Sequence, residues 1–186
     1  MNKRDAINEI LLSLNEMPLD VDDLVDDIQI ATIIDKQLDI TTKKILSNGW
    51  KFNTVTIDLY PTTGGYIPIP ATYLSVYSSD YNVTVRDWKL FNLDDMTYIW
   101  EEESISCEII QDIVFDDIPY MFANYIVQQA SLESYINIIG NTDDISIRKL
   151  AVDNARREAL RDDANAIKGN LLTDDYSTNL ISRTGL

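Results

Sequence analysis

Residues 43–54 read Lys-Lys-Ile-Leu-Ser-Asn-Gly-Trp-Lys-Phe-Asn-Thr. A run with helical spacing stops at Asn48-Gly49, and a large aromatic follows at once. Glycine just past a periodic apolar run is the usual helix stop, because the left-handed backbone found there is costly for any residue with a Cβ. Beyond the stop, Trp50 and Phe52 alternate with polar residues, as do Val55, Ile57 and Leu59. Period-two alternation is the pattern of a half-buried strand. The stretch therefore predicts a helix handing over to a strand, with tryptophan at the joint.

Upstream of the joint the chain reads as two helices. Ala6, Ile7, Ile10, Leu11 and Leu14 share one helical face in a first helix over residues 3–16, which Pro18 ends. An acidic stretch follows, with five aspartates from Asp20 to Asp27, where Asp22 or Asp23 can cap the next helix. That helix runs to about Ser47 on a stripe of Ile30, Ile34, Leu38 and Ile45, with Thr41 or Thr42 in the gap.

Downstream, residues 54–115 read as about five short strands. Gly64-Gly65 marks a turn, and Pro68 and Pro70 confine their segment to an edge or a loop. Residues 82–92 form a hairpin, with Val83 and Val85 on one arm, Leu90 on the other and Arg86-Asp87 near the bend. From Asp116-Asp117-Ile118-Pro119 the pattern is helical again, with an Asp cap and proline in the first turn. This third helix carries Met121, Tyr125, Ile126, Ala130, Leu132 and Ile136, and stops at Gly140. Asp143 or Asp144 opens a fourth, running to about Lys168 on a stripe of Ile147, Leu150, Ala151, Ala155, Ala159 and Ala164. Residues 169–186 show no period and read as an extended arm.

The expected fold is α+β: a bundle of about four helices, an inserted antiparallel β region and a C-terminal arm. The expected boundaries are 1–52 for the first helix pair, 53–115 for the β insert, 116–168 for the second pair and 169–186 for the arm, all in one structural unit.

Composition narrows the chemistry. The 186 residues suffice for one domain with a real core. With 31 acidic and 15 basic residues the formal charge is −16, which disfavours wrapping a phosphate backbone or lying on an anionic membrane. The chain has no histidine, so the commonest general base and zinc ligand are missing. Cys107 is the one cysteine, and its apolar alternation marks a small core residue rather than a nucleophile. No glycine-rich phosphate loop is present, nor a run of 18 apolar residues or a secretory leader. The acidic stretch lacks the Gly and Glu of a calcium loop. The carboxylate pairs Asp26-Asp27, Glu101 to Glu103 and Asp116-Asp117 read as capping or solvated residues, not as a catalytic pair. The chain is expected to be no enzyme and to hold no metal or cofactor.

Interaction surfaces are a better prospect. The last helix holds six of the 15 basic residues: Arg148, Lys149, Arg156, Arg157, Arg161 and Lys168. Asp144 and Asp153 stand four residues before Arg148 and Arg157, so ordinary pairing along the helix is one reading. The other is a face that meets an acidic partner, such as a second copy of this chain. Trp88 and Trp100 of the β region read as core, with a partner contact second.

Several stretches together resemble the tail tubular protein A family, the head-to-tail adaptors of short-tailed phages. Residues 6–19 resemble that family's opening helix with its Gly- or Asn-Glu-x-Pro end, here Asn15-Glu16-Met17-Pro18. Residues 45–54 are similar to its Gly-Trp-x-Phe-Asn joint, and 67–76 to its strand-Pro segment. Residues 83–92 resemble its Arg-Asp-Gly-x-Leu-Tyr-Asp hairpin, with Trp88 in place of the Gly and Asn92 in place of the Asp. Residues 115–131 resemble its Leu-Pro-x-x-Phe-x-x-Tyr-Ile helix; residues 154–160, with Asn170-Leu171, match its closing helix and exit. The likeness spans residues 5–172.

The resemblance implies a structural protein of the virion tail or neck, assembled in the host cytoplasm. It implies a ring, of twelve copies, between the portal protein and the tail nozzle protein, with genome DNA passing through the lumen and no sequence-specific contact. The helices would form the ring, the β region with Arg86 and Trp88 would face the nozzle, and the arm would reach a neighbour or the portal. Leu171, Leu172, Tyr176, Leu180 and Ile181 of the arm, with Arg156, Arg157 and Arg161, are the expected portal and subunit contacts. The alternative is a small acidic binding protein, a DNA mimic or an inhibitor of a host enzyme.

Overall fold

The computed structural model describes residues 1–20, 25, 28–140 and 144–171. The chain divides into two compact units, Met1–Thr41 with the chain from Phe115 onward, and Thr42–Val114. Four helices, α1 (Lys3–Ser13), α2 (Gln29–Leu46), α3 (Tyr120–Ile138) and α4 (Ile145–Leu171), accompany five antiparallel strands, so the fold is α+β. The last turn of α2 belongs to the second unit.

In the helical unit, α1 starts at Asn2, whose side chain accepts a hydrogen bond from the Asp5 N–H at 2.8 Å. Its buried face is the expected one: Ala6, Ile7, Ile10, Leu11 and Leu14. The helix ends earlier than Pro18 would require. Asn15 takes a left-handed φ of 60°, and the Glu16 and Asn15 N–H groups turn back to the Leu11 and Leu12 carbonyls at 3.0 and 3.1 Å. This is a Schellman stop, and asparagine is the residue after glycine that tolerates it best.

Helix α2 buries Ala31, Ile34, Leu38, Thr41, Thr42 and Ile45, while Ile30 is only half-buried. The caps expected at Asp22 or Asp23 lie outside the described residues. Thr41 is satisfied where it is buried: its hydroxyl donates to Glu133 Oε2 at 3.1 Å, which also accepts from Gln37 Nε2 at 2.6 Å. Helix α3 is buried on most sides, through Phe122, Ala123, Ile126, Val127, Ala130, Ser131, Leu132, Ser134 and Tyr135. Met121 and Ile136, expected in its apolar stripe, stay about two-fifths exposed at 38% and 40%.

One expected helix start is corrected and one stands. Asp116 and Asp117 do not cap α3; they lie in a separate 3-10 turn, Phe115–Asp117, and Pro119 takes the cap position with no side-chain cap bond. Asp116 instead accepts the Lys3 N–H at 2.6 Å, tying the start of α1 to this turn. Asp144 does precede α4, and its backbone carbonyl takes the Ile147 and Arg148 N–H groups, both at 3.1 Å. Gly140 stops α3 as expected, with φ 97°. Helix α4 continues through Gly169 to Leu171 rather than ending at Lys168. A single helical glycine costs about 1 kcal/mol relative to alanine, which a helix of 27 residues tolerates.

The second unit holds β1 (Thr54–Leu59), β2 (Tyr73–Tyr77), β3 (Val83–Arg86), β4 (Lys89–Asn92) and β5 (Ile105–Gln111). Strand β5 is central in the sheet β1-β5-β2, with Thr54 opposite Ile110 and Val76 opposite Ile109. Strands β3 and β4 form the expected hairpin. Residues 96–115 supply one named strand, because Thr97 makes only an isolated bridge to Asn92. Ile67, Ile69, Val76, Leu90, Trp100, Ile105, Cys107 and Ile109 form the core, and the Trp100 indole N–H donates to the Leu90 carbonyl at 3.2 Å. Ile67 and Ile69 enter that core from the proline segment, which stays outside the named strands as expected.

The helix-to-strand joint is held by a glycine and two buried side chains. Gly49 has φ 72°, and a Cβ there would stand 2.9 Å from Ile110 Cδ1. Trp50 is buried and its indole N–H donates to the Ile45 carbonyl at 2.8 Å. Asn53 is fully buried. Its Nδ2 donates to the carbonyls of Leu46 and Gln111, both at 3.0 Å, and its Oδ1 accepts the Trp50 N–H at 2.8 Å. One carboxamide thus joins the end of α2 to the end of β5.

Candidate interaction surfaces

The hairpin tip is built from a tight turn. Arg86 pairs with Lys89, and the two residues between them, Asp87 and Trp88, have φ of 49° and 57°. Positive φ at both central positions is the type I′ arrangement, which favours glycine in the second place. Tryptophan stands there instead, at a cost of about 1–2 kcal/mol for a left-handed residue with a side chain. That cost is not recovered by packing, since Trp88 is 65% exposed. Trp88 is therefore not a core residue, whereas Trp100 is, at 4% exposed.

The cations beside the turn are held by aromatic rings. The Arg86 guanidinium lies 4.4 Å from the Phe91 ring centre, and the Lys89 ammonium 4.7 Å from that of Tyr66 and 6.0 Å from that of Tyr98. Tyr98 packs edge-on to Phe91 and donates its hydroxyl to Asp87 at 3.2 Å. Burial, with help from Asp87, raises the Tyr98 phenol above its usual pKa. At the far end of the hairpin, Asn92, Asp95, Thr97, Ile99, Glu101 and Glu102 line a pocket of about 340 Å³. Ile99 is 52% exposed there, and Glu102 accepts the Tyr81 hydroxyl at 3.1 Å.

Helix α4 offers a second surface, and the structure corrects its expected stripe. Ile145, Val152, Ala155 and Ala159 are buried, while Ile147 and Leu150 are 69% and 57% exposed and Ala151 and Ala164 face solvent. At 3.6 residues per turn, Ile147, Leu150, Arg157 and Arg161 fall on the side opposite the buried face, and Arg156 falls on its flank. The structure thus brings Arg157 and Arg161 together with two apolar residues and sets Arg156 apart. None of the three reaches a carboxylate among the described residues: Arg157 donates to the Asp153 carbonyl and the Asn154 side chain. Arg148 faces inward, 3.9 Å above the Tyr135 ring and donating to the Ser13 carbonyl at 2.6 Å. Neither expected i,i+4 ion pair forms, because each arginine finds a closer oxygen or ring.

Leu171 ends α4, so it continues the helix rather than opening an arm; Leu172, Tyr176, Leu180 and Ile181 lie outside the described residues. Asp26 and Asp27 do also. Glu101 to Glu103 are exposed. Among the described residues no three acidic or cysteine side chains converge as metal ligands would, and no helix is long and apolar enough to cross a membrane.

Cys107 is a core residue, 1% exposed, and burial pushes its thiol from the ordinary 9.0 up to about 11. The neutral thiol is the form the core accepts, so its contribution to stability is intact below pH 9.0 and is lost as pH rises towards 11. Alkylation by iodoacetamide at pH 8 is expected to be slow in the folded chain and fast in urea; equal rates would place Cys107 at the surface.

Residues 4–168 match the tail tubular protein family. Over 180 residues the chain is 27% identical to tail tubular protein A of Klebsiella phage KP34, covering 96% of this chain and 91% of that protein. The chain belongs to the tail tubular protein family, and with it to the non-enzymatic structural components of phage tails. Nothing in these comparisons supports the reading as a DNA mimic or inhibitor.

Proposed function

We propose that this chain is the head-to-tail adaptor of a short-tailed phage: a ring, of twelve copies, that binds the portal protein on one side and the tail nozzle protein on the other. The single observation that carries this reading is membership of the tail tubular family across residues 4–168. The exposed face of α4 fits it. Ile147 and Leu150 supply apolar anchors and Arg157 and Arg161 supply charge for an acidic neighbour, and a second copy at −16 is such a neighbour. The β unit, with Arg86 and Trp88, faces the nozzle, and the chain beyond Leu171 reaches the portal or a neighbour.

An acidic lumen would repel phosphate, so genome DNA would slide through it without sticking. Like charge on every copy also opposes spontaneous closure, so the free chain stays monomeric until the portal gathers it. Particles made without this chain are expected to be heads lacking nozzles, and adding the purified chain to them should restore tails. Tailed particles formed in its absence would sink the proposal.

A further inference from the structure

We propose that the hairpin tip of one copy docks in the acidic pocket at the far end of the hairpin of the next copy. The inference rests on the ring reading above, adds a self-contact to it, and moves Arg86 and Trp88 from the nozzle face to that contact. Between residues 52 and 114 the chain has ten carboxylates and two cations, Arg86 and Lys89, and both cations flank the turn that displays Trp88. The tip is thus an apolar knob between two positive charges on an otherwise negative stretch of chain. The pocket is its complement, lined by Ile99 as its apolar residue and by the carboxylates of Asp95, Glu101 and Glu102. Its volume, about 340 Å³, suits a large aromatic side chain.

The two features cannot satisfy each other within one copy. Arg86 pairs with Lys89 at the turn, and Val83 pairs with Asn92 at the pocket end, three residues further along each strand. At about 3.4 Å per residue that separates them by roughly 10 Å, on the opposite ends of one ribbon. A knob and a hole on different parts of one surface join copies head to tail, and such contacts close into rings when the rotation fits. The strained turn fits the same account. A glycine would relax Asp87-Trp88, but it would remove the knob.

The test mixes full-length chains carrying Asp87→Cys, which keeps the Trp88 knob, with full-length chains carrying Glu101→Cys, assembles them on portal rings and adds a short thiol-to-thiol linker. Cys107 is buried and stays out of the reaction. A covalent dimer is expected in the mixture and in neither variant alone. An added ring layer in electron micrographs without that dimer overturns the contact and leaves the ring; no layer overturns both. A second pair guards against damage by the cysteines. Chains with Arg86→Glu and Lys89→Glu, and chains with Glu101→Lys and Glu102→Lys, should each fail to add a layer. Mixed, they should add one, since every knob then meets a hole of opposite charge. Failure of the mixture while each variant melts like the parent would count against the contact.

Discussion

Asn53→Ala is expected to destabilise the chain by about 3–5 kcal/mol, the largest loss for any single polar side chain described here. The reason is arithmetic of partners. Truncation takes the carboxamide away from the Leu46 carbonyl, the Gln111 carbonyl and the Trp50 N–H at one stroke. The site is fully buried, so water does not replace those bonds. A buried polar group left without its partner costs about 1–3 kcal/mol. Asn53→Asp should do no better: it keeps the acceptor for Trp50, loses both donors and buries a charge. Urea unfolding should show the midpoint falling steeply with little change in slope. A loss below about 1 kcal/mol would mean that the joint is held by packing of Trp50 alone.

Leu150→Asp should have an equally large effect on a different property. Leu150 is 57% exposed, so the fold should lose no more than about 0.5 kcal/mol. Binding to a portal-bound ring should fall at least about 100-fold, since an apolar anchor that becomes buried at an interface contributes about 2 kcal/mol or more and a carboxylate there also meets an acidic neighbour. Val152→Asp, two residues on, is the control. Val152 is 7% exposed on the face towards the bundle, so that variant should unfold rather than fold and fail to assemble. The pair separates the two faces of α4. Equal loss of folding from both would show that the outward face has been assigned to the wrong side.

The joint at residues 43–54 was legible because its signals are local. A glycine at positive φ and a change of period can be seen without knowing what packs against them. The buried role of Asn53 was not legible, since its three partners come from α2, the joint and β5, and asparagine at a strand start looks like any polar residue. The buried side of α4 was read correctly at Ala155 and Ala159 and wrongly at Ile147, Leu150, Ala151 and Ala164, for a related reason. Its alanines fit more than one helical phase, and only the neighbours of Val152 decide which phase is buried. The end of α1 turned on Asn15, three residues before the more conspicuous Pro18. At the hairpin, Arg86-Asp87 was recognisable as lying near the bend, but tryptophan in the glycine place hid the turn type and its centre at positions 87 and 88. Of the interaction surfaces, the basic content of α4 was visible in composition. The acidic pocket was not, because it is assembled from residues 92–102 folded back on themselves.

The claim that matters most is that this chain forms the ring between portal and nozzle. The direct test is electron microscopy of the purified chain mixed with the portal rings of its own phage. The account predicts an extra layer of density beneath the portal, present only in the mixture, onto which the nozzle protein then attaches. Portal rings that remain bare at saturating chain, while the chain itself is folded, would contradict it.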